Sequence, residues 1–100
     1  MQQQIDLEEI KRRLHEQLPY LSERYNVEWL GVFGSYVRHE QRPESDVDVL
    51  VTYRETPSLF KFIELQDYLS DVLGIEVDLV MKKALRPSFA ERILSEVQTV

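Results

Sequence analysis

Two short apolar runs flank a polar segment that begins with Gly34 and Ser35 and ends with the pair Asp46 and Asp48. The first run, Val27 to Phe33, predicts a buried strand, so Gly34 and Ser35 fall at the end of that strand. Backbone N–H groups in such a turn can point toward a phosphate. Because strand side chains two apart share a face, Asp46 and Asp48 can bind one or two hard cations between them. The pattern therefore predicts a site for a metal and a nucleotide.

The spacing of these residues resembles that of a known family. Gly-Ser, ten residues and then Asp-x-Asp is the motif of the minimal nucleotidyltransferases of the DNA polymerase β-like superfamily, and here the motif is complete. Arg38 and the run from Ser45 to Val51 look like the MNT antitoxins that pair with HEPN-domain toxins. The resemblance spans residues 27 to 81. It implies an α/β fold, in which a mixed sheet of three to four strands packs with helices.

The resemblance also implies a metal site built from carboxylates. Asp46 and Asp48 would bridge two Mg²⁺ ions. Asp78, the candidate for the third carboxylate that family members carry on a later strand, would bind the ion beside the acceptor and could take the acceptor's proton. No spacing rule fixes Asp78, so a surface-facing role on a half-exposed strand stays open for it.

The nucleotide would be held by the residues of the Gly-Ser turn. Gly34 and Ser35 would bind the β- and γ-phosphates, because a side chain at position 34 would block their close approach. Arg38 could reach the triphosphate, although an exposed arginine on a polar loop is equally often solvated. His39 stands where many relatives have Gly, and a positive φ would strain it modestly. Tyr36 could stack on a base or anchor the core.

Hydrophobic periodicity predicts that helices and strands alternate along the chain. A capping pattern at Asp6 begins the first helix, Pro19 should kink or restart it, and Asn26 should end it. The order α-β-α-β-α-β-α fits a small α/β sandwich. The remaining predicted elements are strands at Val27–Phe33, Asp46–Tyr53 and Ile75–Met81, a helical turn at Ser35–Arg38, helices from Ser58 to Gly74 and from Pro87 to Leu94, and a short final strand within Val97–Val100.

Composition limits what can be bound. One hundred residues predict a single domain, residues 1–100. With no cysteine and only His15 and His39, any metal must be held by oxygen ligands. A net charge of −6 argues against a nucleic acid gripped through its backbone, whereas a nucleotide with Mg²⁺ or a basic protein partner suits an acidic chain. No apolar run reaches the roughly 20 residues of a membrane span and no secretory signal opens the chain, so the cytoplasm is expected.

These features predict a Mg²⁺-dependent nucleotidyltransferase that moves AMP from ATP to a hydroxyl of a partner protein. The antitoxin resemblance implies that this partner is a HEPN-type RNase toxin. ATP enters through the resemblance, because no motif in the chain reads an adenine edge. Two alternatives stay open: transfer to a small molecule, although such enzymes usually add a second domain, and a non-catalytic module that binds and occludes the toxin.

Overall fold

A four-stranded mixed sheet organises residues 5–100, the part of the chain that the computed structural model describes. In chain order the elements are α1 (Leu7–Tyr25), β1 (Val27–Phe33), β2 (Val47–Tyr53), α2 (Leu59–Leu73), β3 (Val77–Met81), a 3₁₀ turn (Lys82–Ala84), α3 (Pro87–Glu96) and β4 (Gln98–Thr99). The strand order is β3-β2-β1-β4. Strand β1 is antiparallel to β2 and β4, and β2 is parallel to β3. The predicted α/β fold with a mixed sheet of three to four strands is confirmed.

The alternation of side chains along β2 divides the sheet into two faces. Val47, Val49 and Val51 are fully buried and belong to the core, which they share with α1 and α2. Helix α1 contributes Ile10 and Leu14, and α2 contributes residues such as Leu65 and Leu69. Asp48 has the opposite parity and therefore lies on the other face of the sheet. On that face, side chains of α3 share clefts with it.

The helix boundaries follow their capping residues. Asp6 caps α1 by accepting a hydrogen bond from the Glu9 N–H at 2.9 Å. Ser58 does the same for α2, from the Lys61 N–H at 3.2 Å. Asn26 and Gly74 end the two helices in the left-handed conformation, with φ of 58° and 70°. The predicted starts and stops of these helices are confirmed.

Pro19 does not interrupt the first helix, so the prediction that the helix restarts there, with Tyr20 to Tyr25 as a separate piece, is wrong. Helix α1 runs without a break from Leu7 to Tyr25. Pro19 lies on the exposed face, where water can satisfy the His15 carbonyl that loses its intrahelical donor. Buried Leu14 and Leu21 hold the helix to the core on either side of the proline. Packing therefore outweighs the lost hydrogen bond.

Strand β4 is short but confirms the expected final strand. Gln98 pairs with Val32 and Thr99 with Gly31, which adds a second antiparallel neighbour to β1. Within residues 5–100, no helix has the length and apolar character needed to cross a membrane.

Candidate active site

The polar segment after β1 begins with a tight turn. The Gly34 carbonyl accepts hydrogen bonds from the Val37 and Arg38 N–H groups, and the Ser35 carbonyl accepts one from Glu40. The predicted helical turn at Ser35–Arg38 is thus a single hydrogen-bonded turn that does not continue into a helix.

Two open questions about side chains of this turn are answered by the structure. His39 has φ of 59°, so it occupies the left-handed region that was expected to strain a non-glycine residue. Tyr36 is buried against the hydrophobic core, with only 2% of its surface exposed. Tyr36 therefore anchors the turn to the core, which is the second of the two roles that the sequence left open.

Gly34 packs directly against the Asp48 carboxylate. A Cβ atom at position 34 would lie 2.1 Å from Asp48 Oδ2 and 3.0 Å from its Cγ, and Gly34 has φ of +84°. Both conditions exclude a side chain without rearrangement. The expectation was that a phosphate requires this glycine, and the structure adds a nearer reason: the glycine makes room for the carboxylate of the next strand.

The strand register brings the predicted carboxylates together at the N-terminal ends of β2 and β3. Asp48 lies in β2 directly opposite Asp78 in the parallel strand β3. Asp46 precedes β2, two residues before Asp48. Asp48 is half-buried, whereas Asp46 and Asp78 are exposed. A sequence separation of thirty residues between Asp48 and Asp78 is thus closed by one strand pairing.

The environment of Asp48 disfavours its charged form. Burial is the largest cause, and the neighbouring carboxylates of Asp78 and Asp46 add to it, so that the pKa of Asp48 rises from 3.8 to about 6. The Arg38 guanidinium acts in the opposite direction but does not cancel these effects. A bound cation would offset both the burial of the Asp48 charge and its repulsion by the two neighbouring carboxylates.

The three aspartates fit a hard, oxygen-loving cation by their chemistry, since carboxylate oxygens are the ligands that Mg²⁺ takes in proteins. Among residues 5–100, however, no three acidic, histidine or cysteine side chains already stand as a group that could hold an ion. Asp46 and Asp78, being exposed, are free to rotate toward Asp48.

Arg38 is engaged by two glutamates. Its Nε donates to Glu40 Oε1 at 2.7 Å, and its Nη1 donates to both carboxylate oxygens of Glu96, at 3.0 and 3.1 Å. Glu96 also accepts a hydrogen bond from the Gly34 N–H at 2.7 Å. Two of the groups predicted to bind phosphate are therefore joined to the same carboxylate.

Sequence reasoning missed the contribution of α3 to this site. Glu96, Arg92 and Phe89 line a cleft of about 260 Å³ together with Gly34 and Asp48. A second cleft of about 370 Å³ contains Asp48, Asp78, Arg86 and Phe89. No sequence motif identifies these residues of α3. They come to lie beside the carboxylates because β4, which follows α3, pairs with β1.

The raised pKa of Asp48 predicts how stability depends on pH in the metal-free protein. Between about pH 4 and pH 6 the folded state binds more protons than the unfolded state, so the stability contributed by Asp48 falls as pH rises. Above pH 6 Asp48 is ionised in both states, and the full free-energy cost of burying its charge lowers the stability of the folded protein. We expect Asp48→Asn to stabilise the metal-free protein by on the order of 1 kcal/mol near pH 8, a modest value because solvent screens a half-buried charge.

Thermal melts of wild type and Asp48→Asn at about pH 4 and pH 8, in the presence of a chelator, measure this effect. The gain should be much smaller at the lower pH, where the wild-type carboxyl is protonated in the folded state and about half protonated in the unfolded state. An equal difference in melting temperature at both pH values would show that the stabilisation by Asp48→Asn does not come from removing the charge.

The sequence of the chain is similar to that of known nucleotidyltransferases. The model of a family described as the nucleotidyltransferase domain matches residues 14–100. The protein adenylyltransferase MntA of Thermococcus cleftensis is 52% identical over 93 residues, which cover 93% of this chain and 94% of the relative.

Solved structures show the same fold. A minimal nucleotidyltransferase superposes with a TM-score of 0.80 at 33% identity, over 99% of this chain and 100% of the other. An MNT antitoxin, solved in complex with a tri-AMPylated HEPN toxin of Shewanella oneidensis, gives a TM-score of 0.67 over 92% of this chain and 69% of that one. At 18% identity, the second likeness concerns the fold alone.

Proposed function

Since the chain belongs to the nucleotidyltransferase domain family, we propose that it moves AMP from ATP to a hydroxyl of a partner protein, and that this partner is a HEPN-type RNase toxin. The observation that carries the proposal is the packing of Gly34 against Asp48, with Asp78 opposite in the neighbouring strand. A glycine turn that can receive phosphates therefore adjoins carboxylates that can receive cations. The 52% identity to a protein adenylyltransferase supports a protein acceptor, and the solved antitoxin complex supports a toxin in that role.

The Gly34 turn would bind the β- and γ-phosphates of ATP. Its backbone N–H groups lie at the end of β1, and the Gly34 N–H, which donates to Glu96, would donate to a phosphate once that bond is exchanged. Ser35 adds a hydroxyl to the same turn. Arg38 and Arg92 supply positive charge beside it, Arg92 from the wall of the same cleft. These groups would hold the triphosphate with its α-phosphorus toward the carboxylates.

Asp46, Asp48 and Asp78 would hold one or two Mg²⁺ ions. When bound, Mg²⁺ would neutralise the charge that develops on the attacking oxygen and on the departing pyrophosphate. Asp78, the exposed carboxylate at the outer strand, would take the proton from the acceptor hydroxyl. Because Asp46 and Asp78 are exposed, a hydroxyl carried by another protein could reach them.

The position of the label in ATP tests this reaction class. With the purified chain, Mg²⁺ and the toxin, label in the α-phosphate should appear on the toxin, and label in the γ-phosphate should not. Labelling from the γ-phosphate would instead indicate a kinase-type phosphoryl transfer. Absence of labelling from either position would remove the proposal, provided that the same toxin preparation is an active RNase.

A methyl group at position 34 should damage nucleotide binding more than stability. We expect Gly34→Ala to weaken the affinity for ATP with Mg²⁺ at least about tenfold, because the new Cβ displaces the Asp48 carboxylate and narrows the phosphate path. The matched control is Gly74→Ala, which has a similar φ of +70° but meets no atom within 4 Å. Both variants should lose about 1 kcal/mol of stability from the left-handed backbone, and Gly34→Ala should lose somewhat more because Asp48 must also move.

Calorimetry and thermal melts separate the two effects. Wild-type affinity in Gly34→Ala, with the melting temperature lowered as in Gly74→Ala, would show that the turn does not receive the phosphates.

A further inference from the structure

Glu96 is carried to the Gly34 turn by the backbone that follows it. It is the last residue of α3, and the next residue, Val97, closes the helix through a hydrogen bond from its N–H to the Ile93 carbonyl. Strand β4 then pairs with Gly31 and Val32 of β1. Because β4 runs antiparallel to β1, the two residues that precede β4, Glu96 and Val97, lie beside the end of β1, where Gly34 begins the turn.

The Glu96 carboxylate makes three hydrogen bonds at this place. Gly34 N–H donates to Oε2 at 2.7 Å, and Arg38 Nη1 donates to Oε2 at 3.0 Å and to Oε1 at 3.1 Å. Only 17% of the Glu96 side chain is exposed. The bond to Gly34 is short, as expected for an ionised acceptor. One carboxylate thus binds the two groups on which the phosphate site depends.

A carboxylate and a phosphate present the same kind of atom to these donors, an anionic oxygen. The Gly34 amide has a single hydrogen, so it cannot donate fully to Glu96 and to a phosphate at once. A triphosphate placed beside an ionised glutamate would also be repelled by it. The Glu96 side chain has three rotatable bonds, and its rotation away from the turn would free both donors without moving α3.

We propose that Glu96 is a further residue of the nucleotide site, one that occupies the phosphate position before ATP binds and so competes with the triphosphate. This proposal rests on the proposed function, because it takes Gly34 and Arg38 as phosphate-binding groups. Glu96 keeps the empty turn hydrogen-bonded and sets the affinity for nucleotide. Removal of its charge therefore strengthens nucleotide binding.

The test compares Glu96→Gln with Glu91→Gln, an exposed position on the same helix that does not line the cleft. Both substitutions remove one negative charge from α3. Calorimetric titration with AMP-PNP and Mg²⁺ should show about tenfold tighter binding for Glu96→Gln and no change for Glu91→Gln. Glu96→Asp, which keeps the charge but is one methylene shorter, should also bind more tightly than wild type, by a smaller factor.

The opposite result would overturn the proposal. Unchanged or weaker binding in a folded Glu96→Gln protein would make Glu96 a scaffold for Arg38 and would leave the proposed function intact. If neither wild type nor Glu96→Gln binds AMP-PNP, both the proposal and the nucleotidyltransferase site at Gly34 fall. Equal tightening in Glu91→Gln would assign the effect to the overall charge of α3 and exclude direct competition.

Discussion

Replacing either Asp46 or Asp48 with Asn should lower AMP transfer at least about a thousandfold, which corresponds to about 4 kcal/mol of transition-state stabilisation. Each substitution removes a charge from a proposed metal ligand and leaves the side-chain volume almost unchanged. The core should not be affected, because Val47 and Val49, on the other face of β2, carry the packing. Far-UV circular dichroism and the melting temperature should therefore match or exceed those of wild type.

The matched control is Asp71→Asn. Asp71 is an exposed aspartate of α2 that lines neither of the clefts containing Asp48. It should retain wild-type turnover, which shows that the loss comes from the position and not from the change in net charge. Near-normal turnover in Asp46→Asn or Asp48→Asn would remove that residue from the metal site.

The second large effect concerns the dose needed to silence the toxin. A covalent modifier is reused, so the wild-type chain should neutralise a molar excess of HEPN-type RNase when ATP and Mg²⁺ are present. The double variant Asp46→Asn/Asp48→Asn should lose this property and protect only at about one chain per binding site. RNase activity measured against antitoxin dose, with and without ATP, shows both outcomes in one experiment.

Equal dose curves for wild type and the double variant, both independent of ATP, would instead favour a module that blocks the toxin by binding it. That result would also leave the aspartates as a retained scaffold without a catalytic role.

The fold was largely predictable because its signals are local. Apolar runs predicted the strands, and the capping residues Asp6 and Ser58 together with Asn26 and Gly74 predicted the limits of α1 and α2. The pairing of Asp48 with Asp78 was suggested by a family resemblance, and only the parallel register of β2 and β3 brings them together.

What the sequence did not predict depends on tertiary contacts. Pro19 carries a strong local signal for a break, but tertiary packing of α1 on both sides of it is stronger. Glu96 carries no local signal, since its role depends on a contact between residues 62 positions apart in the chain. Tyr36 could have stacked on a ligand or filled the core, and a sequence pattern cannot tell these apart when a single aromatic follows a turn.

The central claim, that Asp46, Asp48 and Asp78 catalyse AMP transfer to a protein partner, is tested most directly by the intact mass of the toxin. After incubation with a trace of this chain, ATP and Mg²⁺, the toxin should gain about 329 Da for each AMP attached. With Asp46→Asn/Asp48→Asn at the same dose, the toxin mass should stay unchanged. Full neutralisation by the wild-type chain without any gain in toxin mass would contradict the claim.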